Sequence, residues 1–561
     1  MRKKKKAAIL LIALVAAASL FASDGLMAGA SLRKITPTSD MYPLTRFGGS
    51  FRHAFIGAVE DIYVRVIAVS NAGDEKAAEN TALIICYDGQ GPDNIGMVSF
   101  LEEQTGVSKD HIFMTATHAH STPSGTGGDL EAMLEMEIRH DSPANEMRDL
   151  GTRNNARWSV MVQKQVLEAV REAMASMVPA EVSLGTTESF INVNRDTPYA
   201  SNLVQNPYDP FGEKVPGTLE GFNGQGFSDK TLTVVEFRER ESKKPLAFII
   251  HYAMHNVLLY ANDYFNPAFN EAHGVRTATE EDIETGHYDP YNPDNTVLST
   301  KLELNVAYSA TYKKHSRSLE NGFAADGDTL ANSAVHPDIG GLVSKYVEAR
   351  YPGAVGMWVS GAAGDQNPVF RNTFNIENPY TGEAVEIPID GGMIEPAVYY
   401  AAIQFVDVER AVREIEERDS FSSDAPISFG WGSSMVEPIQ ELCYSSAGSE
   451  GVPYPEIPLY LTVMRLGDIT LAGDPYELYN SIGVAMRDNS TLSGAPHENT
   501  LVINHVKTRP EEDNGLSYFP DDTAISRNSY HWSKGVKYPE GVISGAWTEL
   551  LEEVWQAART I

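Results

Sequence analysis

Apolar positions follow two rhythms along this chain, and the two alternate. Residues 61–70, 81–86, 111–115, 231–237, 246–253, 354–359, 459–466 and 468–471 form short runs rich in β-branched and large apolar side chains. They stop at polar or turn-forming residues, the pattern of buried strands. Residues 158–178, 340–350, 397–417 and 545–559 instead space their apolar residues three and four apart among good helix formers, with Pro179 as the expected stop of the first. Strand and helix signals that take turns predict an α/β fold of layered mixed β-sheets flanked by helices. No fixed-period repeat and no low-complexity tract is present.

The rhythm fades between residues 262 and 335, which are rich in Asn, Asp, Glu, Gly and Tyr, including Tyr264, Tyr288, Tyr291, Glu280, Glu281, Asp282 and Glu284. A stretch of that length reads as an insertion, either a cover over a cleft or a layer over a sheet edge. As a cover it would offer aromatic surface, disfavour anionic ligands and favour compact, neutral or cationic substrates. Of the 561 residues, 42% are hydrophobic and 21% charged, which fits a folded protein and excludes disorder and collagen. The formal charge of −32, from 44 basic against 76 acidic residues, excludes nucleic acid as a partner. Two cysteines, Cys86 and Cys443, are too few for a disulfide scaffold or a Cys-rich zinc site, and leave one bridge open.

The amino terminus reads as an address. Residues 2–6 are basic, residues 7–22 carry no charge, and Ala28-Gly29-Ala30 offers a small-x-small cleavage pattern, so residues 1–30 are expected to be a bacterial export signal and residues 31–561 the working chain. Left uncut, the apolar run would serve as an anchor; once cut, no stable membrane insertion is expected.

Candidate chemistry gathers where predicted strands end. In Thr117-His118-Ala119-His120-Ser121, histidines two apart on extended chain point to one side, a spacing that suits a metal and equally a surface pair. His251 and His255, four apart, share a face, although buried histidines bonded to backbone are as common as ligands. His336, His497, His505 and His531 carry no spacing argument. Gly361 and Gly364, in the run from Ser360 to Pro368, allow a tight turn with exposed backbone amides, but no Gly-x-Ser-x-Gly elbow or phosphate loop is present. Gly473-Asp474-Pro475 ends another strand with a carboxylate in a turn.

Taken in order, these segments resemble the catalytic domain of the neutral/alkaline non-lysosomal ceramidases and their shorter bacterial relatives. The matching stretches are residues 28–37, Gln104-Thr105-Gly106, the His118/His120 segment, Asn194-Arg195-Asp196-Thr197-Pro198-Tyr199, Tyr252-Ala253-Met254-His255, and residues 338–368. The resemblance runs from about residue 28 to the end, without the C-terminal immunoglobulin-like domain of the longer ceramidases. It implies a Zn2+ held by His118 and His255, with Asp474 in place of the family's glutamate and His505 in place of its tyrosine; Thr508 falls at a second tyrosine position. It further implies His120 as acid or base and Arg195 in the substrate cleft. Asn367 stands where the family has a serine implicated in catalysis, which leaves metal-activated water as the attacking group.

The expectation is an exported zinc-dependent hydrolase that cleaves a small-molecule N-acyl amide or an ester. Two alternatives stand beside it. One is a secreted metal- or ligand-binding protein on the same fold, and the other is a phosphoesterase or glycosidase using carboxylates such as Asp61, Asp88, Asp338 and Asp365.

Overall fold

The computed structural model describes residues 25–42, 44–45, 53–58, 60–71, 78–90, 94–123, 125, 130–141, 143–204, 215–223, 226–258, 331–369, 375–377, 384–386, 394–439, 456–492, 499–513, 516–527, 529 and 537–561. Most of the expected insertion, with Tyr264, Glu280 and their neighbours, lies outside these residues, as do Cys443, His497 and His531. The end of that stretch is a strand, Ala331–Val335, paired in parallel with His53–Ala58.

Eight strands form the larger sheet: β1 (Leu26–Lys34), β2 (Tyr63–Asn71), β3 (Thr81–Tyr87), β4 (Ile112–Ala116), β5 (Val178–Glu188), β6 (Thr231–Glu239), β7 (Pro245–Tyr252) and β8 (Val355–Ser360). Their order is β8-β7-β6-β5-β1-β2-β3-β4. A second sheet is built from β9 (Ile427–Val436), β10 (Ile457–Leu466), β11 (Ile469–Gly473), β12 (Thr500–Ile503) and β13 (Arg559–Thr560), in the order β12-β11-β10-β9-β13. Pairing is antiparallel except for β3 with β4, β7 with β8 and β11 with β12. The flanking helices are α1 (Asn94–Thr105), α2 (Pro143–Ala175), α3 (Asp338–Arg350), α4 (Ile394–Arg418), α5 (Asn480–Asn489) and α6 (Ile543–Ala557).

Side-chain alternation explains why these elements stack in four layers. In β2, Ile67 and Val69 join Phe429, Met464, Leu471 and Ile503 in a core between the two sheets, while Val64, Val66 and Ala68 turn to Trp158, Val162 and Val166 of α2. α3 and α4 cover the β6–β7 part of the same outer face through Ile339, Leu342 and Ala401 against Val234 and Ile250. α5 and α6 cover the far face of the smaller sheet, with Ile482, Met486, Trp547 and Leu551 on Leu461, Val463 and Val502. Strands buried on both faces need apolar residues at every position, which is why they read as continuous runs.

One reading of the chain changes. The helix expected at 158–178 starts fifteen residues earlier and ends at Ala175; Pro179 lies inside β5, at the end of its pairing with β1, where a missing N–H costs little. The segment expected to be removed on export overlaps β1, whose residues 26–30 pair with 67–71 and whose Met27 and Ala28 make the register with β5. A cut after Ala30 would unzip the middle of the larger sheet. Among the described residues no helix is long and apolar enough to cross a membrane. The Cys86 thiol is free and buried, 3.3 Å from the Trp358 carbonyl oxygen.

Candidate metal centre

Five strands bring their carboxyl ends to one place. His118 follows β4, His255 follows β7, Asn367 follows β8, Glu477 follows β11 and His505 follows β12, the position at which α/β sheets commonly build sites. Short bonds tie these ends together. Thr115 Oγ1 donates to the Asn504 carbonyl at 2.9 Å, and Asn504 N donates to Ser360 O at 3.1 Å. His120 N donates to Asn256 O at 2.9 Å and His255 N to Gln366 O at 3.1 Å. His118 and His505 are held with φ of +57° and +65°, in the left-handed region that side chains with a Cβ enter at about 1–2 kcal/mol each.

His118, His120 and His255 are buried, and their ligand nitrogens lie within 4.8 Å of one another. His118 Nδ1 donates to the Gln90 carbonyl, and His255 Nδ1 donates to Ala363 O at 2.6 Å. These bonds assign the ring protons to Nδ1 and leave each Nε2 with a lone pair. Both lone pairs face Glu477, whose Oε2 is 2.9 Å from His255 Nε2 and 3.5 Å from His118 Nε2. His120 Nε2 is 3.1 Å from His118 Nε2, and Gln90 Nε2 approaches His120 Nδ1 at 3.1 Å.

At His255 an acceptor therefore faces an acceptor. Burial, reinforced by the Arg195 charge, pulls His255 down to about 3, so it is neutral at physiological pH. Glu477 stays ionised well below the usual carboxylate range: burial alone would raise it, and the neighbouring His118 and His255 outweigh that. A lone pair and a carboxylate oxygen at 2.9 Å need a proton or a metal ion between them. Four donors at about 2.1 Å in a tetrahedron stand about 3.4 Å apart; three of the contacts here are 2.9–3.5 Å, within a histidine group whose nitrogens span up to 4.8 Å. The residues could hold a metal ion.

Glu477 is held by its surroundings. Glu477–Leu478 pairs in parallel with Tyr518–Phe519, and Ser517 Oγ donates to Glu477 Oε1 at 2.9 Å. Tyr518 thereby comes beside His255, its hydroxyl 3.5 Å from Nε2. Burial, then the Glu477 charge, pushes the Tyr518 phenol well up. Arg195, also buried, donates to Gly364 O through Nε at 3.1 Å and through Nη2 at 2.6 Å, to Asn367 Oδ1 at 3.2 Å and to the Tyr518 hydroxyl at 3.2 Å.

Set against the sequence reading, His118, His120, His255, Arg195 and Asn367 come together here, whereas Asp474 does not face the histidines. Its carboxylate takes the Tyr476 N–H at 2.9 Å and, with the Asn504 amide in its satisfied orientation, the Asn504 nitrogen at 2.9 Å. Buried and braced in this way, Asp474 shapes the turn that delivers Glu477 three residues later. His505 stacks on His118, ring centroids 3.9 Å apart and planes 13° apart, and is not part of the three-histidine group. Sequence pattern does not mark Glu477, Tyr518 or Gln90: Glu477 lies in a two-residue strand just beyond the Asp474 turn, and nothing local distinguishes Tyr518 or Gln90. The carboxylates weighed for phosphoester or glycoside chemistry have structural partners: Asp61 with Lys34 and Thr36, Asp88 with Arg65, Asp338 with the Ile339 N–H, and Asp365 with Asn194 and Asn480.

No family model and no curated protein matches the chain. Solved structures do. Neutral ceramidase from Pseudomonas aeruginosa superposes with a TM-score of 0.55 at 14% identity, over 95% of this chain and 74% of that one. A structure of ceramidase complexed with C2 gives 0.56 at 13% identity, over 95% and 75%. The chain thus has the layered α/β fold of these ceramidases.

Proposed function

We propose that the protein is a metal-dependent hydrolase of a carbonyl compound, an N-acyl amide or an ester, acting outside the cytoplasm after export. The observation that carries this reading is the buried contact of His255 Nε2 with Glu477 Oε2 beside His118 and His120, which a zinc-type ion would satisfy. His118, His120, His255 and Glu477 would hold the ion. A bound Zn2+ supplies Lewis acidity and lowers the pKa of water toward 7. The remaining work falls to the chain itself. Arg195, beside His255 and 3.2 Å from the Tyr518 hydroxyl that accepts from it, presents guanidinium donors to a carbonyl oxygen that gains negative charge. Asn367, in the position where the resembled family has serine, offers no nucleophilic atom, so the chain supplies no acyl acceptor of its own there.

The fold of the ceramidase neighbours agrees with cleavage of an amide. The test is metal analysis of protein purified without chelator, followed by turnover of a panel of N-acyl amines, ceramides and esters, with His255→Ala as control. About one zinc per chain and chelator-sensitive turnover, both lost in the variant, support the reading. Bound metal with no turnover points instead to the binding-protein alternative, and absence of metal ends both.

A further inference from the structure

Asn367 lies on Gln366–Pro368, paired with Asn192–Asn194, and is fully buried. Its Oδ1 accepts from Arg195 Nη1 at 3.2 Å. A guanidinium carries donors only, so the amide oxygen must face Arg195 and the amide nitrogen must face away from it. That nitrogen is buried and has no hydrogen-bond partner. A buried amide N–H left unpaired costs about 1–3 kcal/mol, and such groups are rare enough in folded proteins to require an explanation. Here the group sits one hydrogen bond from Arg195, which itself reaches 3.4 Å from His255 Nε2 and 3.2 Å from the Tyr518 hydroxyl. The missing partner is an acceptor, and the amide that lacks it is bonded to the arginine that borders the histidine centre.

We propose that Asn367 Nδ2 donates to the carbonyl oxygen of the scissile bond, completing with Arg195 a cradle for the oxyanion. This rests on the carbonyl-hydrolase reading above and assigns Asn367 as a catalytic residue that stabilises charge. Arg195 orients the amide, and the amide makes the contact.

Asn367→Asp keeps the shape and the bond to Arg195 but removes the donor; Asn367→Leu keeps the volume alone. Zinc content and thermal midpoint are measured first, then kcat and KM, then the affinity of acetohydroxamate, whose carbonyl oxygen mimics the substrate's. Expected for Asn367→Asp is full zinc content, a kcat lower by about 100- to 1000-fold with KM changed far less, and hydroxamate affinity at least tenfold weaker. Asn367→Ser, with a shorter donor, should recover part of the loss. If the wild-type protein turns over no carbonyl substrate, the function fails on its own, and the hydroxamate comparison still decides this assignment. Equal affinities in wild type and Asn367→Asp, a kcat within threefold of wild type, or no hydroxamate binding by the wild type overturns it.

Discussion

Two acidic side chains three residues apart have opposite duties at this centre. Glu477 turns its carboxylate to His255 and His118, whereas Asp474 gives one oxygen to its own turn and the other to Asn504 at the end of β12. Glu477→Gln should therefore weaken zinc affinity at least tenfold with little change in the fold. Asp474→Asn should retain one zinc per chain and lose about 1–3 kcal/mol of stability, because one buried donor is left unpaired. Zinc titration and thermal melting check both, and loss of zinc from Asp474→Asn equal to that from Glu477→Gln would make Asp474 the ligand. Away from the site, buried Glu236 is raised to about 7, chiefly by burial and then by Glu416. Since its unfolded value is 4.5, the stability tied to its protonated form is present below about 4.5 and lost as the pH rises through 7. Its Oε2 has no hydrogen-bond partner, so Glu236→Gln sacrifices no bond there. The variant should melt like wild type at pH 4 and above it at pH 8.5, by on the order of 2 kcal/mol.

At the scale of elements, most strands and helices were legible because double-sided burial leaves long apolar runs. Residues 81–86 and 354–359 fall within one residue of β3 and β8. Where the chain forms local pairs with little apolar content, as in Glu477–Leu478 with Tyr518–Phe519, periodicity has nothing to register, and the partners Glu477 and Tyr518 stayed hidden for that reason. His118 and His255 were readable as ligands through the family resemblance, since spacing alone left each open to a structural role. β1 is the instructive case, since its Ala- and Gly-containing beginning looks like a cleavage site and serves as a sheet centre. Gly29 passes so close to the end of α2 that a Cβ there would lie 2.2 Å from Ala173 O. If the protein is exported and processed, terminal sequencing should find the new first residue before Leu26. A working protein that begins after Ala30 would show that the larger sheet tolerates the loss of half its central strand.

Across the whole molecule, the candidate ligands come from both sheets: His118, His120 and His255 from the larger, Glu477 from the smaller. An ion bound there would lock the two layers together, so its removal should lower the melting temperature beyond any local effect. Zinc at 100 times its Kd would contribute about 2.7 kcal/mol. A calorimetric scan should show this increment in wild type and its absence in Glu477→Gln; equal responses would place the ion elsewhere. The order of the chain adds a consequence for biogenesis. β1 to β8 are complete by Ser360, yet the acidic ligand arrives only at Glu477 and its neighbours Ser517 and Tyr518 later still. A chain still emerging from the ribosome, or released early, can thus own a finished sheet and three histidines without a finished centre. Assembly of the candidate centre waits for Glu477, Ser517 and Tyr518, long after the strands of the larger sheet have been made.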